Sequence, residues 1–325
     1  EHPINQEQLG REMTCLTPGC GLRLKINPFV IGTSKPDSTS SKPSQRSHRR
    51  GQVSCISLTN EGVLVGGYDS GRLGIWGKQQ EKLTVLLKSH DDPILATAAN
   101  ANGDTAVTIS QNGLLVIWDL EKQKQSKKFH FDKQVSALAS GPNDQVAVGF
   151  EEGKLAVWDQ MHDPQYLEGH DRRITALAIL SNGQVISAAE DRKVRIWEPQ
   201  SGKMIGSFTG LESPITVMGA AIKANQITCG CEDTLAFLWD LETFKTKNIY
   251  TLKTNILAAS GDRQSVLVGD DEGKVQVFSL ETGKNLYFQE YHVPIKSGVF
   301  AHNGKWGAVL DKNGKVYRFE VPDNM

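Results

Sequence analysis

The sequence predicts an all-β protein built from seven similar antiparallel units, and two observations lead to that prediction. Short apolar runs alternate with polar residues at period two and are joined by tight turns, which is typical of strands with one buried face. These runs recur along most of the chain at a nearly constant spacing. The stretch at residues 169–198, with the runs ITALAI, VISAA and VRIW, is the most regular unit.

An aromatic residue lies at or near the end of the third strand of each unit, and the spacing between these residues gives the length of the repeat. These residues are Trp76, Trp118, Trp158, Trp197, Trp239, Phe278 and Phe319. Their successive spacings are 42, 40, 39, 42, 39 and 41 residues. Such a period is the length of one four-stranded unit in a repeat protein, so seven units are expected within residues 51–325.

Tight turns precede the third strand in six of the seven units. Their second position holds glycine or a charged residue, and glycine supplies the positive φ that a tight hairpin demands. The turns are Ser70-Gly71, Asn112-Gly113, Glu152-Gly153, Asp191-Arg192, Glu272-Gly273 and Asn313-Gly314. The pattern predicts an antiparallel meander in each unit.

Composition narrows the class of protein. The chain has 325 residues, of which 38% are hydrophobic and 22% charged, as expected for a globular protein with a core. The net charge of −1 gives no overall attraction to nucleic acid or to a membrane surface. No apolar run approaches the roughly 18 residues of a membrane helix, so no membrane partner is expected. The chain starts at Glu1 and not at Met, which predicts a longer parent protein.

Residues 1–32 differ from the repeats. Cys15 and Cys20 flank a Pro-Gly turn and look like half of a zinc ribbon, but a tetrahedral zinc site needs four ligands and no second pair follows. A local disulfide or free thiols are the alternatives, and no metal site is predicted. Residues 22–26 alternate and predict a strand. Because the seventh unit stops after three strands, this strand is expected to complete it.

Residues 33–50 are predicted to form a flexible, basic loop rich in serine and proline. The segment has almost nothing to bury and cannot offset the entropy of ordering it. Its five basic residues stand against one acidic residue, Asp37. The domain organisation expected is therefore an N-terminal segment at 1–32, a linker at 33–50 and the repeats at 51–325.

The units resemble WD repeats, the four-stranded blades of a β-propeller, over residues 51–321. The Trp-Asp dipeptide occurs at residues 118–119, 158–159 and 239–240. The fourth unit carries the four residues of that family's hydrogen-bonded tetrad, His170, Ser187, Asp191 and Trp197, and the second unit nearly repeats it with His90, Thr108, Asn112 and Trp118.

The resemblance implies a seven-bladed β-propeller with buried, structural tetrads. The histidine is expected to donate to the aspartate and to the serine, and the tryptophan N–H closes the set. The seven blades must close into a ring, because an open end would leave a sheet edge bare. The N-terminal strand at residues 22–26 is the expected closing strand.

Motifs that carry catalysis are missing from the sequence. It has no glycine-rich phosphate loop, no HExxH, no GxSxG and no close pair of cysteine and histidine with a third orienting group. The histidine, serine and aspartate of the fourth unit superficially resemble a hydrolase triad, but the WD resemblance implies that they are structural. The sequence therefore predicts neither an enzyme nor a cofactor.

One set of residues points to binding. The position just before the turn between the second and third strands is acidic in five of the seven units. In a propeller these turns share one face, so they predict a negative ring at the channel mouth that attracts a basic ligand. Arg173 looks toward the same face, where an ion pair is expected in place of a phosphate site. The candidate binding residues are Asp69, Glu151, Glu190, Glu232, Asp271 and Arg173.

Two interpretations of this ring stay open. In the first, the basic segment at residues 33–50 folds over the acidic ring or competes there with a basic partner. In the second, hydrophilic turns and the basic segment are merely solvated, since exposed charge pairs contribute little individually.

The WD resemblance implies a non-catalytic scaffold that binds a protein or peptide through the loop face of the propeller. The alternative is a regulatory or structural propeller domain or subunit of a larger enzyme or multiprotein complex. A small-molecule substrate is not expected. Nucleic acid is not expected either, because the one dense basic stretch is short and lacks interleaved aromatic residues.

Overall fold

A computed structural model describes residues 12–14, 23–25, 51–78, 83–141, 144–158, 163–209, 211–220, 226–243, 245–252, 255–260 and 264–322. By internal contacts the chain divides into two units, Glu1–Gln45 and Arg46–Met325. All regular elements in the described residues are strands. No helix in this part of the chain has the length and apolar character that a membrane span requires.

The first unit contains a two-stranded antiparallel sheet. Strand β1 (Glu12–Thr14) pairs with β2 (Arg23–Lys25), and Met13 lies opposite Leu24. The strand predicted at residues 22–26 thus forms over three residues, and its partner in the described pairing is β1. A near neighbour in sequence is a favourable partner because closing a short loop costs little entropy. Its role as a closing strand stays a prediction, and Cys15, Cys20 and the linker at 33–50 lie outside the described residues.

The second unit consists of seven successive antiparallel sheets, which are the blades. The first strands are β3 (Val53–Leu58), β7 (Ile94–Ala99), β11 (Val135–Ser140), β15 (Ile174–Ile179), β19 (Ile215–Ala220), β23 (Asn255–Ser260) and β27 (Ile295–Phe300). The second strands are β4 (Leu64–Tyr68), β8 (Thr105–Ser110), β12 (Val146–Phe150), β16 (Val185–Ala189), β20 (Gln226–Cys231), β24 (Ser265–Gly269) and β28 (Trp306–Asp311).

The outer half of each blade follows the same order. The third strands are β5 (Arg72–Trp76), β9 (Leu114–Asp119), β13 (Leu155–Trp158), β17 (Val194–Glu198), β21 (Leu235–Asp240), β25 (Lys274–Ser279) and β29 (Val316–Glu320). The fourth strands are β6 (Val85–Lys88), β10 (Lys124–His130), β14 (Gln165–Leu167), β18 (Lys203–Phe208), β22 (Lys245–Thr251) and β26 (Asn285–Glu290). Within the described residues, blades one to six have four strands and blade seven has three. The predicted all-β, seven-bladed architecture is confirmed.

Apolar clusters between neighbouring blades hold the ring together. There are seven of them, one at each seam. The cluster between the last and first blades joins Ala308 and Leu310 to Val53 and Leu64. Every blade therefore packs on both of its neighbours, and the ring is closed. This explains why second strands such as β12 are buried along their whole length, since both faces of the sheet are covered.

The turns between second and third strands place a positive φ at the same position in all seven blades. Five blades use glycine there, whereas Arg192 (φ 59°) and Thr234 (φ 66°) occupy the position in blades four and five. Glycine is required in blade one, because a Cβ at Gly71 would lie 2.3 Å from the carbonyl oxygen of His90. The turn at Thr234 is the one that the sequence pattern did not indicate.

These turns lie beside the loops that lead into the first strands. The backbone N–H of Asp69 donates to the Gln52 carbonyl at 3.0 Å, that of Glu190 to Arg173 at 2.9 Å and that of Glu232 to Pro214 at 3.1 Å. The side of the ring that carries these turns and loops is termed the turn face. The opposite side, termed the far face, carries the remaining loops of each blade.

Candidate functional site

Hydrogen bonds in blade four link the tetrad that the sequence indicated. The Trp197 Nε1–H donates to the Ser187 hydroxyl oxygen at 2.8 Å. The Ser187 hydroxyl lies 2.8 Å from His170 Nε2, and His170 Nδ1 lies 2.9 Å from the Asp191 carboxylate. Ser187 is 0% exposed and His170 is 6% exposed. The structure thus brings all four residues together inside the blade.

The protonation state of His170 follows from its burial. Burial lowers the pKa of the His170 imidazole, although Asp191 opposes the shift. Burial alone raises the pKa of the Asp191 carboxyl, but hydrogen bonds and charge from His170 and Arg195 outweigh it and lower that pKa. A neutral imidazole has one donor and one acceptor nitrogen. With one donor nitrogen, a neutral His170 donates to Asp191 or to Ser187 and not to both, and the Arg195 guanidinium lies 2.6 Å from the Nδ1 atom that faces Asp191.

Arg195 is a fifth member of this cluster, and the sequence reasoning missed it. Its guanidinium donates to the Asp191 carboxylate at 3.0 Å, and the residue is 8% exposed. Arg195 lies directly opposite Ser187 in the pairing of β16 with β17. The two-residue turn at Asp191-Arg192 fixes that register, so the position of Arg195 could have been read from the sequence.

Blade two forms a shorter version of the same relay. The Trp118 Nε1–H donates to the Thr108 hydroxyl at 3.0 Å, and His90 Nε2 lies 2.8 Å from that hydroxyl. Asn112 does not reach His90. Its side-chain oxygen instead accepts from the Ser110 hydroxyl at 2.7 Å and from the Leu114 N–H at 3.0 Å.

The ring of His90 is consequently left half satisfied. Its Nδ1 is buried and has no hydrogen-bond partner in the part of the chain that the structure describes. Burial, together with the charge of Lys128, lowers the pKa of His90 to about 4. An uncharged His90 is the form that this site holds at neutral pH.

The tetrads stabilise turns and offer no route to a substrate. The Ser187 oxygen is fully buried and is already shared between Trp197 and His170. A hydrolytic serine needs its oxygen exposed to the scissile carbonyl, which this geometry denies. The polar residues of blade four thus act on the stability of the blade.

Most of the predicted acidic ring is already paired. Arg173 bridges two blades, with its Nε 3.1 Å from Glu151 and its guanidinium 3.8 Å from Glu190. Lys312 Nζ lies 3.0 Å from Asp271, and the Asp69 carboxylate accepts the Gln52 N–H at 2.9 Å. The ion pair expected for Arg173 is thus present, and four of the five acidic ring residues have a partner within the protein.

The acidic turn residues that directly follow the ring positions in blades three, four and six also have partners within the protein. Glu152 pairs with Lys133, and Glu272 pairs with Lys274. Asp191 is buried in the blade-four cluster and does not contribute to the surface charge. Partners inside the protein therefore hold these carboxylates too.

Blade five is the exception. Glu212, Glu232 and Asp233 are exposed on the turn face, and none of them has an ion-pair partner among the described residues. The one contact of Asp233 is with the backbone, since its carboxylate accepts the Leu235 N–H at 3.3 Å. These three residues are termed the blade-five carboxylates.

The neighbouring sector of the turn face has the opposite character. Arg172 and Arg192 are partly or fully exposed in blade four and make no ion pair in the described part of the chain. The turn face is thus divided between an acidic sector at blade five and a sector with free positive charge at blade four. The predicted acidic ring stays a candidate binding surface, and four of its five carboxylates have a partner within the protein.

The central channel is lined mainly by small side chains that do not titrate. The seven first strands enclose a cavity of about 410 Å³, lined mainly by alanine, serine, threonine and glycine. Among its described lining residues His302 is the single titratable side chain, and its Nε2 lies 3.1 Å from the Ala99 carbonyl. Within the described residues, no group of three or more histidine, cysteine or acidic side chains could hold a metal ion.

Comparisons with known proteins agree with the fold. The family described as the TEP-1 C-terminal β-propeller matches residues 170–242. Cilia- and flagella-associated protein 52 of Macaca fascicularis is 23% identical over 142 residues, which are 40% of this chain and 25% of that protein. WD repeat-containing protein 90 of Xenopus tropicalis is 29% identical over 112 residues, or 34% of this chain and 6% of the relative.

A longer but weaker similarity covers most of the ring. Autophagy-related protein 16 of Arabidopsis thaliana is 22% identical over 277 residues, which are 82% of this chain and 47% of that protein. The chain therefore spans less than half the length of each of these relatives. Propellers of this kind are generally scaffolds, and such relatives suggest a role in protein interaction or as a subunit of a complex. The repeats, the seven-bladed ring and these partial similarities support a β-propeller of the WD-repeat type.

Proposed function

We propose that the chain is a non-catalytic interaction scaffold whose turn face binds a basic segment of a partner protein. The observation that carries this proposal is the state of the blade-five carboxylates. They are exposed and have no ion pair among the described residues, whereas the other acidic ring positions and the exposed turn residues Glu152 and Glu272 are held by lysine, arginine or backbone donors. The partner's lysine or arginine side chains bind at Glu212, Glu232 and Asp233.

The physical reason is competition. A carboxylate such as Glu151 must give up its contact with Arg173 before it can bind an incoming cation, so little net attraction is gained. A carboxylate without an internal partner loses only water when a cation arrives, and complementary charge also speeds the encounter. The blade-five carboxylates therefore contribute more to binding than paired carboxylates of the same charge.

Free positive charge at blade four sets the orientation of the partner. Arg172 and Arg192 repel a basic segment, and like charges placed side by side disfavour the wrong arrangement. A basic segment that crosses the turn face is directed toward blade five and away from blade four. Specificity for position follows from the repulsive sector as much as from the attractive one.

The test is a fluorescence titration of the protein with a labelled octalysine peptide at low salt. The triple variant Glu212→Gln, Glu232→Gln, Asp233→Asn removes the charges of the acidic sector. The matched control is Glu121→Gln, Glu242→Gln, Glu281→Gln, which removes the same charge from exposed loops of the far face. Each exposed charge contact contributes about 0.5 kcal/mol, so the turn-face triple is expected to weaken binding by about tenfold.

The far-face control is expected to change the affinity by less than about twofold, because its charges lie outside the binding surface. Binding by the wild type should also weaken steeply as salt is added. Equal losses in the two triple variants would show that net charge alone governs binding, and the proposed site would then be abandoned.

The second candidate is a structural propeller subunit or domain of a larger assembly. It is favoured by the relatives, whose matched regions cover between 6% and 47% of their own lengths. Native mass measurement of the protein isolated from its source would separate the two candidates. A stable complex that resists high salt favours the structural role, whereas a partner released by salt favours the acidic sector.

A further inference from the structure

The seam between blades one and seven differs from the other six seams in its connection. Neighbouring blades elsewhere are joined by a short loop, whereas blades one and seven are the two ends of the repeat array. Contacts across this seam join residues up to 256 positions apart. Because the entropy cost of closing a loop grows with its length, this seam depends more than the others on its non-covalent contacts.

Two asparagines on the far face form the first of these contacts. The Asn303 backbone N–H donates to the Asn60 side-chain oxygen at 2.7 Å. The Asn303 side-chain amide donates in return to the Asn60 carbonyl at 3.2 Å. Both residues lie in loops between first and second strands, so the pair ties the loops of blades seven and one directly together.

Arg318 makes the second contact from the third strand of blade seven. Its guanidinium donates to the backbone carbonyls of Gly62 and, at 2.9 Å, of Gly77, both in blade one. The guanidinium also lies 5.8 Å from the centre of the Trp306 ring. Trp306 in turn packs on Gly62, where a Cβ would lie 3.1 Å from the indole. One side chain thus joins two loops of blade one to blade seven.

The seam between blades two and three has two described side-chain bonds on the far face, from Asn100 and Thr105 to Asp144. The seam between blades three and four has fewer. On its far face, the side-chain contact across the described residues is the bond from Gln145 Nε2 to the Gly183 carbonyl at 2.9 Å. The seam between blades seven and one has four such bonds, from Asn303 and Arg318. The larger number of cross-seam hydrogen bonds thus occurs at the seam whose two blades are not joined by a short loop.

We propose that these contacts form a clasp, and that the clasp makes the seam between blades one and seven the opening point of the ring. When Arg318 or the asparagine pair is removed, blades one and seven separate from each other before the remaining blades unfold. Blade four keeps its native protection in that open state, because its own packing and tetrad are untouched. The inference does not depend on what binds the turn face.

Amide hydrogen exchange on the full-length protein tests the clasp. The variant Arg318→Met removes the two carbonyl contacts, and Asn60→Ala is a milder second variant that removes one acceptor. Exchange of amides in β3 and β27 is expected to accelerate by about tenfold in Arg318→Met, as for the loss of roughly 1.4 kcal/mol of hydrogen bonding. Exchange in β15 of blade four should stay unchanged. Gln145→Ala is the matched control at a seam with a short connection.

The pattern of amide exchange across the blades decides whether the clasp exists. The clasp is supported if amide exchange accelerates only in blades one and seven of Arg318→Met and does not accelerate in those blades in Gln145→Ala. Uniform acceleration that includes blade four, or unchanged exchange in β3 and β27, overturns it. If Arg318→Met does not fold, Asn60→Ala is judged by the same pattern.

Discussion

Blades four and five carry the same pair of acidic residues in the same turn, yet the two pairs have different roles. In blade four, Glu190 pairs with Arg173, and Asp191 is buried against His170 and Arg195. In blade five, Glu232 and Asp233 are exposed and have no ion pair among the described residues. Identical turn residues therefore stabilise one blade and leave the other with free charge.

The cause lies in the residues around the turn. At the positions of His170, Arg173 and Arg195 in blade four, blade five has Leu211, Pro214 and Phe237. Cys229 takes the position of Ser187 and is fully buried, where burial raises the pKa of its thiol. Every partner that holds a carboxylate in blade four has thus been replaced by an apolar side chain or a thiol. The comparison teaches that availability of a carboxylate is decided by its neighbours and not by its own position.

The largest effect is expected from removing the buried carboxylate. Asp191→Ala should lower the free energy of unfolding by about 3–5 kcal/mol, because it leaves Arg195 buried without a counter-charge. Asp233→Ala, the matched change in blade five, should alter it by no more than about 0.5 kcal/mol. Urea unfolding of both variants measures the difference. Similar losses in the two blades would show that the turn position itself, and not its partners, carries the stability.

Acidification should produce the next largest effect, through blade two. The pKa of His90 lies at about 4 in the folded protein, below its ordinary value of 6.5, so the unfolded chain binds the proton first. Stability from this site is complete above about pH 6.5 and is lost as the pH falls toward 4, by on the order of 3 kcal/mol. Urea midpoints of the wild type and His90→Gln, measured from pH 7.5 to 4.5, check this. A gap between the two proteins that does not shrink in acid contradicts it.

A smaller change should come from giving blade two the missing carboxylate. Asn112→Asp places a negative charge in the turn, as Asp191 does in blade four, and an opposite charge nearby favours the protonated imidazole. The pKa of His90 should therefore rise toward its ordinary value, and the acid-induced loss of stability should diminish. NMR titration of the His90 ring protons measures the shift. An unchanged pKa would mean that the carboxylate, like Asn112, bonds within its own turn.

The smallest effect concerns the paired part of the turn face. Arg173→Met frees Glu151 and Glu190, so it should strengthen binding of a basic peptide by about two- to threefold, as expected for exposed charge pairs. Stability should change by less than about 0.5 kcal/mol, since the pair is exposed. Arg172→Met is the control, because Arg172 makes no ion pair in the described residues. If both variants strengthen binding equally, net charge and not the release of the two carboxylates is responsible.

The architecture was readable from the sequence because a propeller repeats one local pattern. The spacing of the third-strand aromatics and the glycine turns predicted seven blades, and the WD resemblance implied the tetrads. The turn at Thr234 escaped detection because its positive φ is held without glycine. Strand β2, within the predicted residues 22–26, pairs with β1, and its role as the closing strand stays a prediction.

The repeat pattern could not predict which charged side chains are paired inside the protein and which are free. Arg173 reaches carboxylates of two different blades, and Asn112 turns toward Ser110 and away from His90. Both outcomes depend on side-chain directions across seams and turns, which a residue pattern does not contain. The sequence therefore predicted the acidic positions, and the structure was needed to show which of them are free.

Zero-length carbodiimide cross-linking of the octalysine peptide to the native protein, followed by mass spectrometry, tests the central claim most directly. The reaction joins a lysine to a carboxylate that it contacts, so it reports the position of the bound peptide. The account predicts cross-links at Glu212, Glu232 and Asp233, and few at Glu151 and Glu190. Cross-links concentrated at Glu151 and Glu190, or at far-face residues such as Glu121 and Glu242, would contradict it.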